Sequence, residues 1–288
     1  CFVGRPNTGK STLTNALVGA KVAITSNRPQ TTRHTIRGIV HRDDFQIIPG
    51  GHPGLHRPRT LLGKRLNDLV RDTYSEVDVI GLCIPADEPI GPGDRWIYQQ
   101  IQDVAPRTTL IVIVTKADKV ARDRVAQLVA VSEEFGEHAA EIVPVSASTG
   151  EQLEVLTEVL AAQLPPGPAF YPDGELTDEP EETLMAELIR EAALGVRDEL
   201  PHSLAVVIED VEKRAQRDDL VDVHAIIYVE RDSQKGIVIG KGGARLREVG
   251  TAARTQIESC WAQRFPGSAG QGCQNWQRDP KQLGRLGF

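Results

Sequence analysis

The chain has no apolar run long enough to span a bilayer and no signal sequence at its start. That excludes a membrane-spanning helix and makes the cytosol the expected compartment. A starting methionine is missing as well: the sequence opens in an apolar, strand-like run, so a few residues are expected to precede Cys1. Cysteine is sparse. Cys1, Cys83, Cys260 and Cys273 show neither metal-ligand spacing nor an evident pairing, which excludes a disulfide scaffold and reads as free thiols in a reducing compartment. Positive charge is also in deficit. A formal net charge of −7 excludes a nucleic-acid binder that works by uniform basicity. The charge is uneven, however: Asp173–Leu200 carries ten acidic residues against two basic, and Lys235–Phe288 nine basic against three acidic, so the last part could face a phosphate backbone. What is present is ordinary for a soluble globular protein, 40% hydrophobic and 25% charged, and 288 residues can form two domains, each with its own core.

The most informative stretch comes first. Cys1-Phe2-Val3 reads as a strand, Gly4-Arg5-Pro6-Asn7-Thr8-Gly9-Lys10-Ser11 as a glycine-bounded loop, and Thr12–Leu17 as the start of a helix. In that setting G-x-x-x-x-G-K-S is a phosphate cradle. Backbone N–H groups and the helix N-terminus face the phosphates, Lys10 reaches the β and γ groups, and the Ser11 hydroxyl is placed for Mg²⁺. The glycines are needed because a Cβ would keep the backbone from closing on the ligand.

After Val22–Ile24, the polar loop Thr25–His34 precedes the strand-like Thr35–Val40. One of its threonines, with Thr32 favoured, could close over the γ-phosphate and complete the Mg²⁺ shell; the alternative is an exposed loop with two capping hydroxyls. Phe45–Ile48 reads as a strand, and a buried strand is not expected to continue into Pro49-Gly50-Gly51. A phosphate-sensing loop here needs an aspartate to order Mg²⁺, and none is present. His52 and His56 are read as solvated loop residues in preference to metal ligands. Arg59–Val77 has helical spacing, Val77–Ile84 and Leu110–Val114 read as buried strands, and Asp94–Val104 as a helix. The second strand ends in Thr115-Lys116-Ala117-Asp118, at the edge where an open parallel sheet binds ligand. A carboxylate there can accept from guanine N1–H and its 2-amino group, which adenine cannot offer, so Asp118 points to guanine. Arg122–Phe135 (helix), Ile142–Val145 (strand), the turn Ser146-Ala147-Ser148 and Glu151–Leu164 (helix) complete the first domain.

Pro165-Pro166-Gly167-Pro168 then breaks the pattern, and the acidic stretch to 182 reads as a linker. Beyond it come a helix over Thr183–Leu200, strands over Leu204–Ile208 and Val221–Val229, and Gln234-Lys235-Gly236 running to Gly240-Lys241-Gly242-Gly243 before a helix from Ala244 to about Ser259. A G-x-x-G turn between two helices lets a nucleic-acid backbone pass against bare main chain, with Lys235, Gly236, Lys241, Arg245 and Arg247 around it. This is the pattern of a KH module that grips about four nucleotides of single-stranded RNA; a purely structural helix–turn–helix is the alternative.

With these residues together, the chain resembles the Era family of bacterial GTPases over nearly its whole length, with an actinobacterial look. The resemblance is carried by Gly4–Ser11, Gln30–His34, Pro53–Pro58, Ser146-Ala147, Val229–Gly236 leading into Gly240–Gly243, and Asn275-Trp276 through Leu286–Phe288. It implies an α/β fold: a GTPase domain built on a mostly parallel, doubly wound sheet (1–165), a linker (166–182) and a smaller α+β KH domain of type II with a tail (183–288). It implies slow GTP hydrolysis, recognition of the 3′ end of 16S ribosomal RNA, assistance to small (30S) subunit maturation, a monomer, and a peripheral fraction at the inner face of the cell membrane. The nucleotide contacts implied are Gly4 to Ser11, Gly51, His52, Pro53, Gly54, Leu55, Thr115, Lys116, Ala117, Asp118, Ser146 and Ala147, with Ser11 and Thr32 on Mg²⁺ and Asn7 beside a K⁺. Leu55 stands where other GTPases have a water-orienting glutamine, so catalysis falls to Lys10, Ser11, Thr32 and the cations.

Three departures stand out. Thr115 replaces the usual Asn of the guanine motif, where a hydroxyl is expected to be tolerated. Gly51 replaces the aspartate of Asp-Thr-Pro-Gly, which predicts weakened Mg²⁺ ordering and opens a second reading, an RNA-binding protein gated by nucleotide with little hydrolysis. Cys260–Gln274 lacks the alternation of the family's third KH strand. Both odd segments rejoin the family pattern on their far side, and a one-base shift of a back-translation restores Leu-Val-Asp-Thr-Pro in the first, the trace that compensated frameshifts would leave. A P-loop kinase or ATPase is disfavoured, because Asp118 and Ser146-Ala147 suit guanine.

Overall fold

The β-branched runs around Ile80 and Val112 form the centre of a parallel sheet. The structure, a computed structural model, describes residues 1–25, 36–51, 68, 73–74, 76–120, 123–195, 204–213, 221–261 and 268–271. The chain divides into two units, the first running to Asp178 and the second starting at Glu179. The first contains β1 (Phe2–Val3), α1 (Lys10–Val18), β2 (Ile36–Arg37), β3 (Val40–His41), β4 (Gln46–Ile47), β5 (Gly50–Gly51), β6 (Val79–Pro85), α2 (Pro92–Val104), β7 (Thr109–Thr115), α3 (Arg124–Phe135), β8 (Glu141–Pro144) and α4 (Leu153–Ala161). Its main sheet has the order β2-β5-β1-β6-β7-β8, with β2 antiparallel at one edge and the other neighbours parallel. All of β6 and nearly all of β7 are buried, as expected of strands covered on both faces. Alternate residues feed opposite cores. Ile80, Leu82 and Ile84 join Ile97, Ile101 and Phe135 on one side, while Cys83, Ile111 and Ile113 join Leu13, Leu17 and Leu156 on the other.

Two expectations are corrected by this unit. The strand over Phe45–Ile48 does stop before Pro49, as β4, but Gly50-Gly51 forms an unexpected strand of its own inside the main sheet: Gly51 pairs with Phe2 of β1 and with Ile36 of β2. Main-chain hydrogen bonds need no side chain, and Pro49 contributes as an acceptor, taking a bond from Gly38 N–H (3.0 Å). The strand expected over Thr35–Val40 is split, because Gly38 bridges to Thr177 and Ile39 N–H donates to Leu176 O (2.9 Å). These contacts belong to the segment read as a linker. Its part up to Asp178 is fastened to the first unit: Gln46 Oε1 accepts from Phe170 N–H (2.9 Å) and Tyr171 N–H (3.1 Å), and Arg37 pairs with Asp178 (3.0 Å). The helix expected over Arg59–Val77 lies almost wholly outside the described residues.

The second unit has α5 (Glu181–Gly195), β9 (Ala205–Lys213), β10 (Val221–Tyr228), α6 (Asp232–Ile239), α7 (Ala244–Trp261) and β11 (Ser268–Gln271). The sheet order is β11-β10-β9, with β9 antiparallel and β11 parallel to β10. A third strand is therefore present where the sequence showed no alternation. His224 to Ile227 pair with Ser268 to Gln271 through the backbone, which asks nothing of side-chain pattern. Among the described residues, no helix is long and apolar enough to cross a membrane.

Candidate functional site

Three loops meet at the C-terminal ends of parallel strands, the edge at which such sheets bind ligands. The first follows β1. Gly4 (φ 151°), Asn7 (φ 65°) and Gly9 (φ 89°) all have left-handed backbone, and a Cβ on Gly4 would lie 2.7 Å from Cys83 O. Gly9 O accepts from Leu13 N–H (2.8 Å) and starts α1. The Lys10 ammonium lies inside the loop, 7% exposed, donating to Gly4 O (3.0 Å), Arg5 O (2.6 Å) and Thr8 Oγ1 (3.3 Å). Burial pushes its pKa down to about 8, and the Arg5 charge adds to the fall. A buried cation ringed by neutral oxygens in a left-handed cradle can be matched by phosphate oxygens, which restore the missing countercharge. Beneath Gly4 the Cys83 thiol is fully buried, and that burial pushes it up to about 12, so it is inert.

The second loop follows β7. Thr115 is buried, and its hydroxyl donates to Thr8 O (2.6 Å), tying the two loops together. Lys116 adopts φ 57° and places Nζ 3.2 Å from Asp87 Oδ1. Asp118 is exposed and oriented by the third loop: buried Ser146, beyond β8, donates from Oγ to Asp118 Oδ1 (2.6 Å). Ala117 N–H reaches Val145 O (3.1 Å), and Ala147 follows Ser146 in the same turn. The result is an exposed carboxylate held by a hydroxyl beside a backbone turn, a pattern that can accept paired N–H donors from a base edge.

Gly51 ends β5 next to β1 and so stands beside the phosphate loop, without a carboxylate. Thr32, His52, Pro53, Gly54 and Leu55 lie outside the described residues.

In the second unit, the turn between α6 and α7 has Gly240 at φ 71° and ψ 173°, Gly242 at φ 59° and Gly243 at φ 75°. A Cβ on Gly240 would come 3.0 Å from Arg245 atoms, whereas Gly236, Gly242 and Gly243 face open space. Arg245 donates to Ile237 O (2.6 Å) and Arg247 to Gly242 O (2.9 Å), so both arginines brace the turn. Lys235 pairs with Asp232 (3.0 Å) and Lys241 is exposed. Beside the turn opens a cavity of about 630 Å³, lined by apolar groups that include Ile189, Val223, Leu246, Ala253 and Ile257. Bare backbone next to an apolar groove suits a sugar–phosphate strand with unstacked bases.

A family described as 50S ribosome-binding GTPase matches residues 1–116, and the KH domain family matches residues 199–263. The GTPase Era of Mycobacterium sp. (strain KMS) is 81% identical over 291 residues, covering 100% of this chain and 97% of that protein. The chain belongs to the Era family of GTPases. The Era of Mycolicibacterium smegmatis is 80% identical, again across 100% of this chain and 97% of that one. Two solved Era structures match at 33% identity. One, in complex with MgGDPNP and nucleotides 1506–1542 of 16S ribosomal RNA, has a TM-score of 0.93 and covers 99% of this chain and 96% of that one. The other, a point variant of Aquifex aeolicus Era bound to GDP·AlF4⁻, has a TM-score of 0.94 over 99% and 97%.

In this Era-family chain, the structure brings Lys10, Thr8 and Thr115 together, and Asp118 with Ser146. It turns the Arg5 side chain away from the loop interior: the guanidinium binds Asp94 Oδ1 (2.7 Å) and Glu88 Oε2 (3.1 Å), and only the Arg5 carbonyl meets Lys10. Sequence reading missed Asp87, Glu88 and Asp94. The first two lie two and three residues past the end of β6, at the same edge from which the other loops leave, and that position was the available signal.

Proposed function

We propose that this protein hydrolyses GTP slowly with Mg²⁺ and binds single-stranded RNA at the 3′ end of 16S ribosomal RNA through its KH unit, assisting maturation of the 30S subunit. The observation that carries the GTP part is the Thr115–Thr8 hydrogen bond, which joins a phosphate cradle to a loop bearing an oriented carboxylate. Lys10 neutralises phosphate charge, Asp118 selects guanine, and backbone of Ser146-Ala147 faces the base oxygen. Ser11, in the first turn of α1, and Thr32 would hold Mg²⁺, which when bound offsets charge on the β- and γ-phosphate oxygens; in this reading Asn7 would lie beside a K⁺. The RNA part is supported by the Gly240–Gly243 turn with its groove and by the relative solved with a 16S fragment. In this reading the protein works as a monomer in the cytoplasm, with a peripheral fraction at the inner face of the cell membrane.

Turnover of GTP with Mg²⁺, in K⁺ against Na⁺ and with ATP as competitor, tests the first part. Binding of a 16S 3′-end oligonucleotide against a scrambled one tests the second. GTP turnover that excess ATP leaves unchanged, with preference for the 16S sequence, is the expected result. Equal competition by ATP, or equal binding of both oligonucleotides, overturns the respective part.

A further inference from the structure

The segment after β6 carries three carboxylates that the nucleotide chemistry does not use, and each is aimed at a loop that it does use. Asp94 is fully buried at the start of α2. Its Oδ2 accepts from Gly91 N–H (2.9 Å), capping the helix, and its Oδ1 accepts from Arg5 Nε (2.7 Å). Glu88 takes the other arm of the same guanidinium (3.1 Å) and lies 3.8 Å from Lys116 Nζ in the guanine loop. Asp87 holds Lys116 (3.2 Å) and Lys119 (2.9 Å). Gly93 completes the fit, since a Cβ there would lie 2.7 Å from Arg5 Cδ. The carbonyl of the same Arg5 accepts from both Lys10 Nζ (2.6 Å) and Thr8 Oγ1 (3.0 Å). Fixing the Arg5 side chain on α2 thus fixes the peptide unit against which the phosphate-binding lysine rests.

We propose that Arg5 and Asp94 form a positioning pair that preorganises the phosphate loop, with Glu88 linking that loop to the guanine loop through Lys116. The two side chains are engaged with each other and with Glu88, so the pair acts on the cradle through the Arg5 carbonyl. Its contribution is made before ligand arrives, as reduced freedom of the cradle, so it strengthens GDP and GTP alike. The inference rests on the reading of Gly4–Ser11 as the GTP site.

The test is GDP affinity and dissociation rate for the full chain and for Arg5→Ala, Asp94→Asn and the double variant, beside the melting temperature of each without nucleotide. Asn at 94 can still accept from Gly91 N–H, so the helix cap survives while the charge pair is lost. Each single variant is expected to weaken GDP about tenfold, the scale of one charge-assisted hydrogen bond, and the double variant no further than either single. A Glu88→Gln variant is expected to lower discrimination between GDP and IDP, which lacks the 2-amino group, as Asp94→Asn does not. GDP affinities within twofold of the parent, with lowered melting temperatures, would show a pair that serves only α2 and overturn the proposal. Additive losses in the double variant would overturn it too. If the parent chain itself binds no GDP, the GTP-site reading fails first and the proposal with it.

Discussion

At the scale of single residues, Lys10 and Gly51 set the chemistry in opposite ways. Lys10 has a pKa lowered by burial to about 8, against 10.5 for an unhindered lysine, because the loop offers it oxygens without negative charge. Phosphates return that charge and raise the pKa, so GDP binding is expected to take up protons around pH 8.5 and hardly any around pH 6.5, with affinity declining above about pH 8. Calorimetry in buffers of different ionisation enthalpy measures this directly, and no buffer dependence at the higher pH would refute it. The folding term has the same origin. Between about pH 8 and 10.5 the unfolded chain holds the proton and the folded chain does not, so this group's contribution to stability rises with pH across that window. Gly51 ends β5 beside the cradle with no carboxylate to order Mg²⁺. A Gly51→Asp variant is expected to raise GTP turnover at least tenfold with little change in GDP affinity, as a group acting on charge that develops in the transition state should. Equal turnover by the two proteins would show that this glycine is tolerated, and peptide mass spectrometry of the native gene product would tell which residue the cell makes.

At the scale of elements, the α6–α7 turn is the part whose geometry leaves least freedom. Gly240 combines φ 71° with ψ 173°, a region that only glycine occupies readily, and Arg245 already lies against it. A Gly240→Ala substitution is expected to cost about 1–3 kcal/mol locally and to reduce 16S-oligonucleotide affinity tenfold or more, while GTP turnover by the other unit stays as it was. Fluorescence anisotropy and a turnover assay on one preparation check both. Arg245 and Arg247 act differently from the surface cations expected there. By donating to Ile237 O and Gly242 O they shape the turn, so their loss should lower the melting temperature as well as RNA affinity.

At the scale of the molecule, the proposed RNA binding sets an acidic chain against a polyanion through one small turn, which calls for few ion pairs. With about four nucleotides gripped at the turn, the slope of log affinity against log salt is expected near −3. A slope steeper than about −6 would mean that the basic tail, and not the turn, dominates binding. The same local logic separates what could be read early from what could not. The phosphate loop, the parallel strands and the G-x-x-G turn were legible because each is a contiguous run whose residue types answer one local demand: glycine for left-handed backbone, β-branched residues for strands covered on both faces, a lysine for phosphate. Gly50-Gly51 and Ser268–Gln271 were not legible as strands, since their pairing rests on main-chain bonds to partners far away in sequence.

The sequence alone thus determined the family and the order of its two units, because the phosphate-loop and G-x-x-G patterns are spelled in short windows. Only the tertiary structure decided what holds them in place: Thr115 on Thr8, Ser146 on Asp118, and Arg5 between Asp94 and Glu88. Those contacts join residues 28 to 107 positions apart, and a chain brings such groups together only after its strands have taken their places in the sheet.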